Sequence, residues 1–292
     1  MLVNSFIFTM ITFYQDKIVL ENHPNFNVQD TLECGQFFRY QKTGEDTYNV
    51  FSQDKFAKVT TQGNTVEILT DDVQYFYNFF ALNYDYAPAI NRLKGYSPFL
   101  SEAVEYGKGI RILRQDFAET IFSFIISANN NIKRIQAIIE KLCVKYGVKT
   151  TNGYAFPTVK ALANATETEL KELGTGYRAS YIVNTAKMLQ QMDLTSFASL
   201  STKDAREKLI SLYGVGPKVA DCILLFGLGK GDVFPVDTWI KKVYHNYFEM
   251  GHADSQIANY LVSLFGDDSG LCQQYLFYFQ RKYGQIDLNS LK

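Results

Sequence analysis

The sequence predicts an α+β protein in two parts. A twisted antiparallel β-sheet domain with flanking helices is expected over residues 1–110, and an all-helical domain over 111–292. Three observations carry this reading. Short runs rich in Phe, Tyr, Val and Thr, separated by turn residues, are confined to the first third. From Asp71 the apolar spacing lengthens, and beyond about residue 115 it stays helical. Of the 292 residues, 47% are apolar and 20% charged, which suits packed domains and excludes a disordered tail protein.

The strands expected in order are 37–41, 47–53, 56–61 and 65–69. Gly44-Glu45-Asp46 and Gln62-Gly63-Asn64 mark turns among them, and connections this short favour an antiparallel meander. Val73, Phe76, Phe79 and Phe80 then recur at helical spacing. Further helices are expected over 117–126, 132–146, 158–162, 167–173, 180–191, 203–212, 217–228, 238–248, 255–265 and 271–283. Thr166-Glu167-Thr168-Glu169 has the form of a capping box. No internal repeat or low-complexity linker occurs. Most of the 20 Tyr and 23 Phe are expected in the core.

No stretch reaches 18 apolar residues, so a spanning helix is not expected. The apolar run 6–14 is broken by Thr9 and Thr12 and has no Lys or Arg before it, a poor signal peptide. A cytoplasmic location, or the nucleoid in a prokaryote, is expected. Cys34, Cys143, Cys222 and Cys272 lie far apart with no C-x-x-C pair. That argues against a zinc ribbon, a clustered iron–sulfur site and a disulfide scaffold, and for reduced thiols. The net charge of −1 hides an asymmetry. Residues 1–107 hold 7 basic and 13 acidic side chains (net −6), and residues 108–292 hold 22 and 17 (net +5). A polyanion would meet the C-terminal two-thirds.

The informative stretch runs from Leu209 to Cys222, within a helical hairpin at about 203–228. Its two helices flank the tight turn Gly214-Val215-Gly216. Glycine allows positive φ and close approach of another molecule. Pro217 suits the first turn of the second helix. The N–H groups there are unpaired by geometry, and a phosphate is a natural guest. Lys218 and Cys222 are four residues apart and share a face. Asp237, in Pro235-Val236-Asp237, is placed to cap the helix beginning at Thr238. Alone, each feature is commonplace: a helical corner, a surface lysine, a cap. Their combination at this spacing is not.

With these residues in view, the chain resembles the helix-hairpin-helix glycosylases with a Gly/Pro-rich loop and an Asp, and within them the 8-oxoguanine DNA glycosylase/AP lyases. The resemblance covers about residues 25–283. It rests on the hairpin with Pro235-Val236-Asp237, on Cys34-Gly-Gln-Phe-Phe-Arg39, Gly109-Ile-Arg-Ile-Leu-Arg-Gln-Asp116, Ser123-Phe-Ile-Ile-Ser-Ala-Asn-Asn-Asn-Ile-Lys-Arg134, Gly176-Tyr-Arg-Ala179 and Gln273-Gln-Tyr-Leu-Phe277. The hairpin fits several base specificities, and the other blocks are particular to the 8-oxoguanine branch. The resemblance implies that the N-terminal sheet is TBP-like and that the partner is duplex DNA with 8-oxoguanine opposite cytosine. It also implies no cofactor, no membrane, no obligate protein partner and a monomeric state.

The roles it implies are as follows. Lys218 is the nucleophile at the sugar C1′, since a Schiff base requires an amine. Asp237 carries negative charge beside the developing oxocarbenium ion and assists proton movement. In the lesion pocket, Gly35 offers its carbonyl to the N7–H that 8-oxoguanine has and guanine lacks. Gln273 bonds the Watson–Crick edge, Cys222 and Phe277 sandwich the ring, and Pro235 lies beside them. Asn129, Arg134 and Arg178 engage the cytosine left behind, with Tyr177 wedged into the gap. Gly214 and Gly216 meet the DNA backbone. The carbonyls of Ile210, Leu212 and Val215 are candidates for a monovalent cation; no metal with side-chain ligands is expected. Trp239 is a departure: it stands where the best-known eukaryotic members have a phosphate-binding His, and an indole N–H donates one hydrogen bond without charge. Two rival readings are a monofunctional alkyl-base glycosylase of the same superfamily, which generally lacks the lysine, and a non-catalytic DNA-binding hairpin.

Overall fold

In the computed structural model, which describes residues 10–248 and 251–283, the first third holds six strands. These are β1 (Met10–Phe13), β2 (Lys17–Glu21), β3 (Tyr40–Gly44), β4 (Thr47–Ser52), β5 (Lys55–Gln62) and β6 (Thr65–Thr70). They form one antiparallel sheet in the order β1-β2-β6-β5-β4-β3. The last four are the expected meander. β2 adds to the free edge of β6, with Ile18 opposite Ile68 and Leu20 opposite Val66. Alternation buries one face, through Ile18, Leu20, Tyr48, Val50, Ala57, Val59, Val66 and Ile68.

Two differences from expectation have physical causes. β1 and β2 were not expected, because they are short and the pairing of β2 with β6, on which β1 then builds, is a long-range event; residues 6–9 of the N-terminal apolar run lie outside the described residues. The strand expected at 37–41 begins only at Tyr40. Phe37 and Phe38 are buried but plug two different cores instead of pairing.

The helices are α1 (Val28–Glu33), α2 (Val73–Phe79), α3 (Ala87–Lys94), α4 (Pro98–Tyr106), α5 (Phe117–Ser127), α6 (Ile132–Tyr146), α7 (Val159–Ala163), α8 (Glu167–Glu172), α9 (Arg178–Leu189), α10 (Thr202–Ile210), α11 (Pro217–Leu228), α12 (Thr238–Tyr247), α13 (Ile257–Phe265) and α14 (Ser269–Tyr283). Their starts are chemically marked. The Thr166–Glu169 capping box is present on α8, and Asp116, Asn131 and Asp237 cap α5, α6 and α12. The four cysteines are free and buried. Among the described residues, no helix is long and apolar enough to cross a membrane.

Apolar side chains sort into three cores, not two. One fills the sheet with α1 and α2. A second joins α5–α11. The third joins α3 and α4 to α12, α13 and α14. Residue 110 therefore divides the chain in sequence but not in packing: helices from the first third complete a core whose other half is C-terminal. Buried polar bonds lock these layers. Arg39 pairs with Glu119 at 3.4 Å, and Glu119 also accepts from the Gln53 N–H at 2.8 Å, tying the β4–β5 turn to α5. Gln36 bridges to the Arg111 carbonyl (2.8 Å) and the Leu113 N–H (2.9 Å). Such pairs are costly to leave half-made and so fix one arrangement.

Candidate active site

The hairpin turn between α10 and α11 is built as its glycines suggest. Gly214 has φ +76°, and a Cβ there would lie 2.5 Å from the Tyr181 ring. Both the backbone and the neighbour therefore require glycine. Gly216 is the N-cap of α11, with φ −89° and nothing within 4 Å of a Cβ built on it. No side chain caps this end, and Pro217 follows. The first-turn N–H groups of α11 are thus left without a side-chain cap, the arrangement in which helix N-termini receive anions.

Lys218 is half-buried one residue into α11. Its Nζ lies 5.6 Å from the Phe124 ring centroid. Among the described residues it forms no salt bridge to a carboxylate. One turn on, Cys222 is buried, and burial pushes its thiol up to about 11. The nearby Lys218 charge pulls the other way, and the charges of Asp221 and then Asp237 push further up. Lys218, Cys222 and Asp237 therefore feel one another. Asp237 caps α12 as expected: its Oδ1 accepts from the N–H groups of Trp239 (3.0 Å) and Ile240 (2.9 Å). Both bonds fall on one oxygen, which leaves Oδ2 for another partner. Pro235 is buried in the approach to this cap, after the fully buried Phe234. Trp239 is half-buried with Lys242 Nζ 5.0 Å from its ring.

α14 supplies a second wall. Gln273, Phe277 and Arg281 are spaced by four and form one stripe. Gln273 is 5% exposed, and its buried Oε1 has no hydrogen-bond partner among the described residues. Gly35 has φ +93°, and a Cβ on it would sit 3.1 Å from Phe277 Cε1, 3.1 Å from Arg281 Nη1 and 3.4 Å from Ile132 Cδ1. The sequence singled out Gly35 and Phe277 separately, and the structure brings them together. Cys222 belongs to the α5–α11 core, while Phe277 packs on the α12–α14 core.

A third group lies around the α5–α6 corner. Asn131 caps α6, Asn130 Nδ2 closes onto the Ile126 carbonyl at 3.1 Å, and exposed Asn129 takes φ +49°. The run is a helix boundary that also presents a polar side chain. Arg134 is exposed, with one bond to the Gly174 carbonyl at 3.3 Å. Tyr177 is 53% exposed and stands edge-on to Tyr181.

Arg178 is 3% exposed. Its Nε bonds the Ala128 carbonyl at 2.9 Å, Nη2 bonds those of Ala128 and Asn129, and Nη1 that of Thr175. Its charge lies 4.4 Å from the Tyr177 ring centroid. Through these four bonds to backbone oxygens it holds the Asn129 turn and backs Tyr177. In the hairpin, the Leu212 carbonyl already accepts from the Val215 N–H at 3.2 Å. Sequence reasoning missed two residues near the site: Arg281, and Asp221, which is buried beside Cys222 and paired with Arg206 at 2.7 Å. The spacing of four from Phe277 was the available signal for Arg281.

The fold and this cluster define a helix-hairpin-helix DNA glycosylase. Comparison with known proteins agrees. Residues 122–265 match the family of HhH-GPD superfamily base excision DNA repair proteins, and residues 18–121 match the 8-oxoguanine DNA glycosylase N-terminal domain. A probable N-glycosylase/DNA lyase of Methanothermobacter thermautotrophicus is 34% identical over 64% of this chain and 69% of that one. The N-glycosylase/DNA lyase of Saccharomyces cerevisiae is 44% identical over 47% of this chain, although the match spans only 41% of the yeast protein. The 8-oxoguanine glycosylase/lyase of Clostridium acetobutylicum, solved with duplex DNA containing cytosine opposite 8-oxoguanine, superposes with a TM-score of 0.87 at 36% identity. That superposition covers 94% of this chain and 98% of the other. The chain belongs to the 8-oxoguanine DNA glycosylase family of the HhH-GPD superfamily.

Proposed function

We propose that the protein is a bifunctional DNA glycosylase/AP lyase that flips out and excises 8-oxoguanine opposite cytosine in duplex DNA and then nicks the strand. The observation that carries this is Lys218: a lysine behind a glycine hairpin, unpaired with any carboxylate among the described residues, beside the Cys222 thiol and within the influence of Asp237. A flipped base needs a pocket to receive it. Gly35, Phe277, Gln273 and Cys222 supply its walls, and the orphaned Oε1 of Gln273 supplies an unmet acceptor for the amino or imino edge of guanine.

The chemistry follows from the side chains. The neutral Lys218 amine attacks C1′ as the C1′–N9 bond breaks, and the bonding pair leaves with the base, which takes up a proton. Asp237 stabilises the positive charge that develops on the sugar. The resulting amine adduct opens the ring C1′–O4′ bond and becomes an imine. Loss of a C2′ proton then expels the 3′ phosphate by β-elimination. Asn129 and Arg134 engage the widowed cytosine, Tyr177 fills the gap, and Arg178 positions both. The hairpin glycines and Trp239 face the phosphate backbone. A monovalent cation on the carbonyls of Ile210, Leu212 and Val215, a monomeric state and a cytoplasmic or nucleoid location complete the proposal.

Borohydride trapping tests it. Incubated with an 8-oxoguanine·cytosine duplex, the protein is expected to form a covalent adduct. Lys218→Gln abolishes the adduct while duplex binding persists, because an amide cannot form an imine. An adduct retained in full by the variant overturns the nucleophile. Base release with no adduct in the unmutated protein favours a monofunctional glycosylase, and neither adduct nor release favours a binding module.

A further inference from the structure

We infer that Arg281 is a specificity-determining residue that reads the C8 oxygen of the lesion base. The inference rests on the reading of Gly35 and Phe277 given above. Guanine and 8-oxoguanine differ at two adjacent atoms: the oxidised base has a proton on N7 and a carbonyl on C8. The Gly35 carbonyl can read the first, because it accepts. Reading the second requires a donor beside it.

Arg281 provides one. It lies one helical turn beyond Phe277 on the same stripe of α14. Its Nη2 donates to the Glu33 carbonyl at 2.6 Å, and its Cζ lies 5.8 Å from the Phe277 ring centroid. Its Nη1 is buried with no hydrogen-bond partner among the described residues. That same nitrogen is 3.1 Å from the position a Cβ would take on Gly35, a point equally close to Phe277 Cε1. An unmet charged donor is therefore held at the junction of the base-stacking ring and the N7-reading turn. Leaving a buried donor without an acceptor costs free energy that a ligand oxygen recovers. The Glu33 bond fixes the guanidinium so that it need not search for that oxygen.

The test compares two uncleavable ligands opposite cytosine. One duplex carries 2′-fluorinated 8-oxoguanosine, with both the N7–H and the C8 oxygen. The other carries 9-deazaguanine, a C-nucleoside with the N7–H and no C8 oxygen. The unmutated protein is expected to bind the first roughly tenfold or more tighter than the second, the scale of a charged hydrogen bond. Arg281→Leu should bring that ratio below about threefold while changing 9-deazaguanine affinity little. Arg281→Lys, which keeps a cationic donor, should retain part of the ratio. Arg281→Gln serves for the same comparison if the leucine variant fails to fold. Loss of affinity for both duplexes by the same factor means that Arg281 only holds the Glu33–Gly35 turn, and the proposal falls. Borohydride trapping of the unmutated protein reports separately on the glycosylase/lyase reading.

Discussion

The side-chain amide of Gln274 holds the carbonyl oxygen of Cys34 at 2.9 Å, across 240 positions of sequence. The Tyr278 hydroxyl donates to the Asp30 carboxylate at 2.7 Å, and Arg281 to the Glu33 carbonyl. The turn that carries Gly35 is thus placed by the last helix of the chain as well as by its own neighbours. A pocket wall set this way has little freedom to drift, which is what discrimination between two similar bases needs.

Asp237→Asn separates charge from capping. Asn caps as well as Asp does, so stability should change by no more than about 1 kcal/mol. Single-turnover excision should drop roughly 10²-fold, the scale of a lost charge-stabilising group. A near-normal rate would leave Asp237 with a structural role alone.

The opposite base should matter, and through Arg134. Cytosine offers N3 and O2 as acceptors, whereas adenine presents an amino donor and is larger. Exposed Arg134 makes one side-chain bond, whereas buried Arg178 commits four to backbone carbonyls. The unmutated protein should excise faster opposite cytosine. Arg134→Ala should shrink that preference roughly tenfold, whereas Arg178→Lys should slow excision opposite both bases alike. Equal single-turnover rates opposite cytosine and adenine before any mutation would refute the assignment.

Gly214→Ala should destabilise the hairpin. A left-handed φ of +76° costs an L-residue about 1–2 kcal/mol, and the added methyl meets Tyr181 at 2.5 Å. Urea unfolding should show a total loss of roughly 2 kcal/mol or more, with duplex affinity reduced as well. The same substitution at Gly216, whose φ is ordinary and whose Cβ position is open, should leave the unfolding midpoint almost unchanged.

Acid should weaken the fold through His23. Burial first, and then the Arg111 charge, lower its pKa from 6.5 to about 4. The unfolded chain therefore binds the proton more readily, so the stability is present above pH 6.5 and is lost as pH falls towards 4. Because His23 is only partly buried, solvent screening reduces the effect to about 1–2 kcal/mol. Unfolding free energies measured at pH 7 and pH 4.5 should differ less in His23→Gln than in the parent.

Features that depend on chain-local chemistry were readable from the sequence. The bounds of α6 and α11, the Thr166–Glu169 box and the Asp237 cap each follow from side chains within four residues of one another. What was hidden depends on distant partners. β2 is a strand because β6 offers it an edge. α1 is only six residues long, too short for a periodic signal. The burial of Arg178 was not legible, because nothing near it in sequence shows that the Ala128 and Asn129 carbonyls will surround it. Arg281 was overlooked because its meaning comes from Glu33 and Gly35, almost 250 residues away.

Trp239, the chain's single tryptophan, donates its backbone N–H to the carboxylate of Asp237, and Lys242 lies over its ring. All indole fluorescence from this protein therefore originates beside the Asp237 cap, while its 20 tyrosines can be spared by exciting at the red edge. A change in emission when duplex is added reports on that one place, and departure of Lys242 towards a phosphate would itself alter the signal. The molecule carries its own optical probe of the step in which DNA reaches the Asp237 cap, with no label to attach and no second tryptophan to remove.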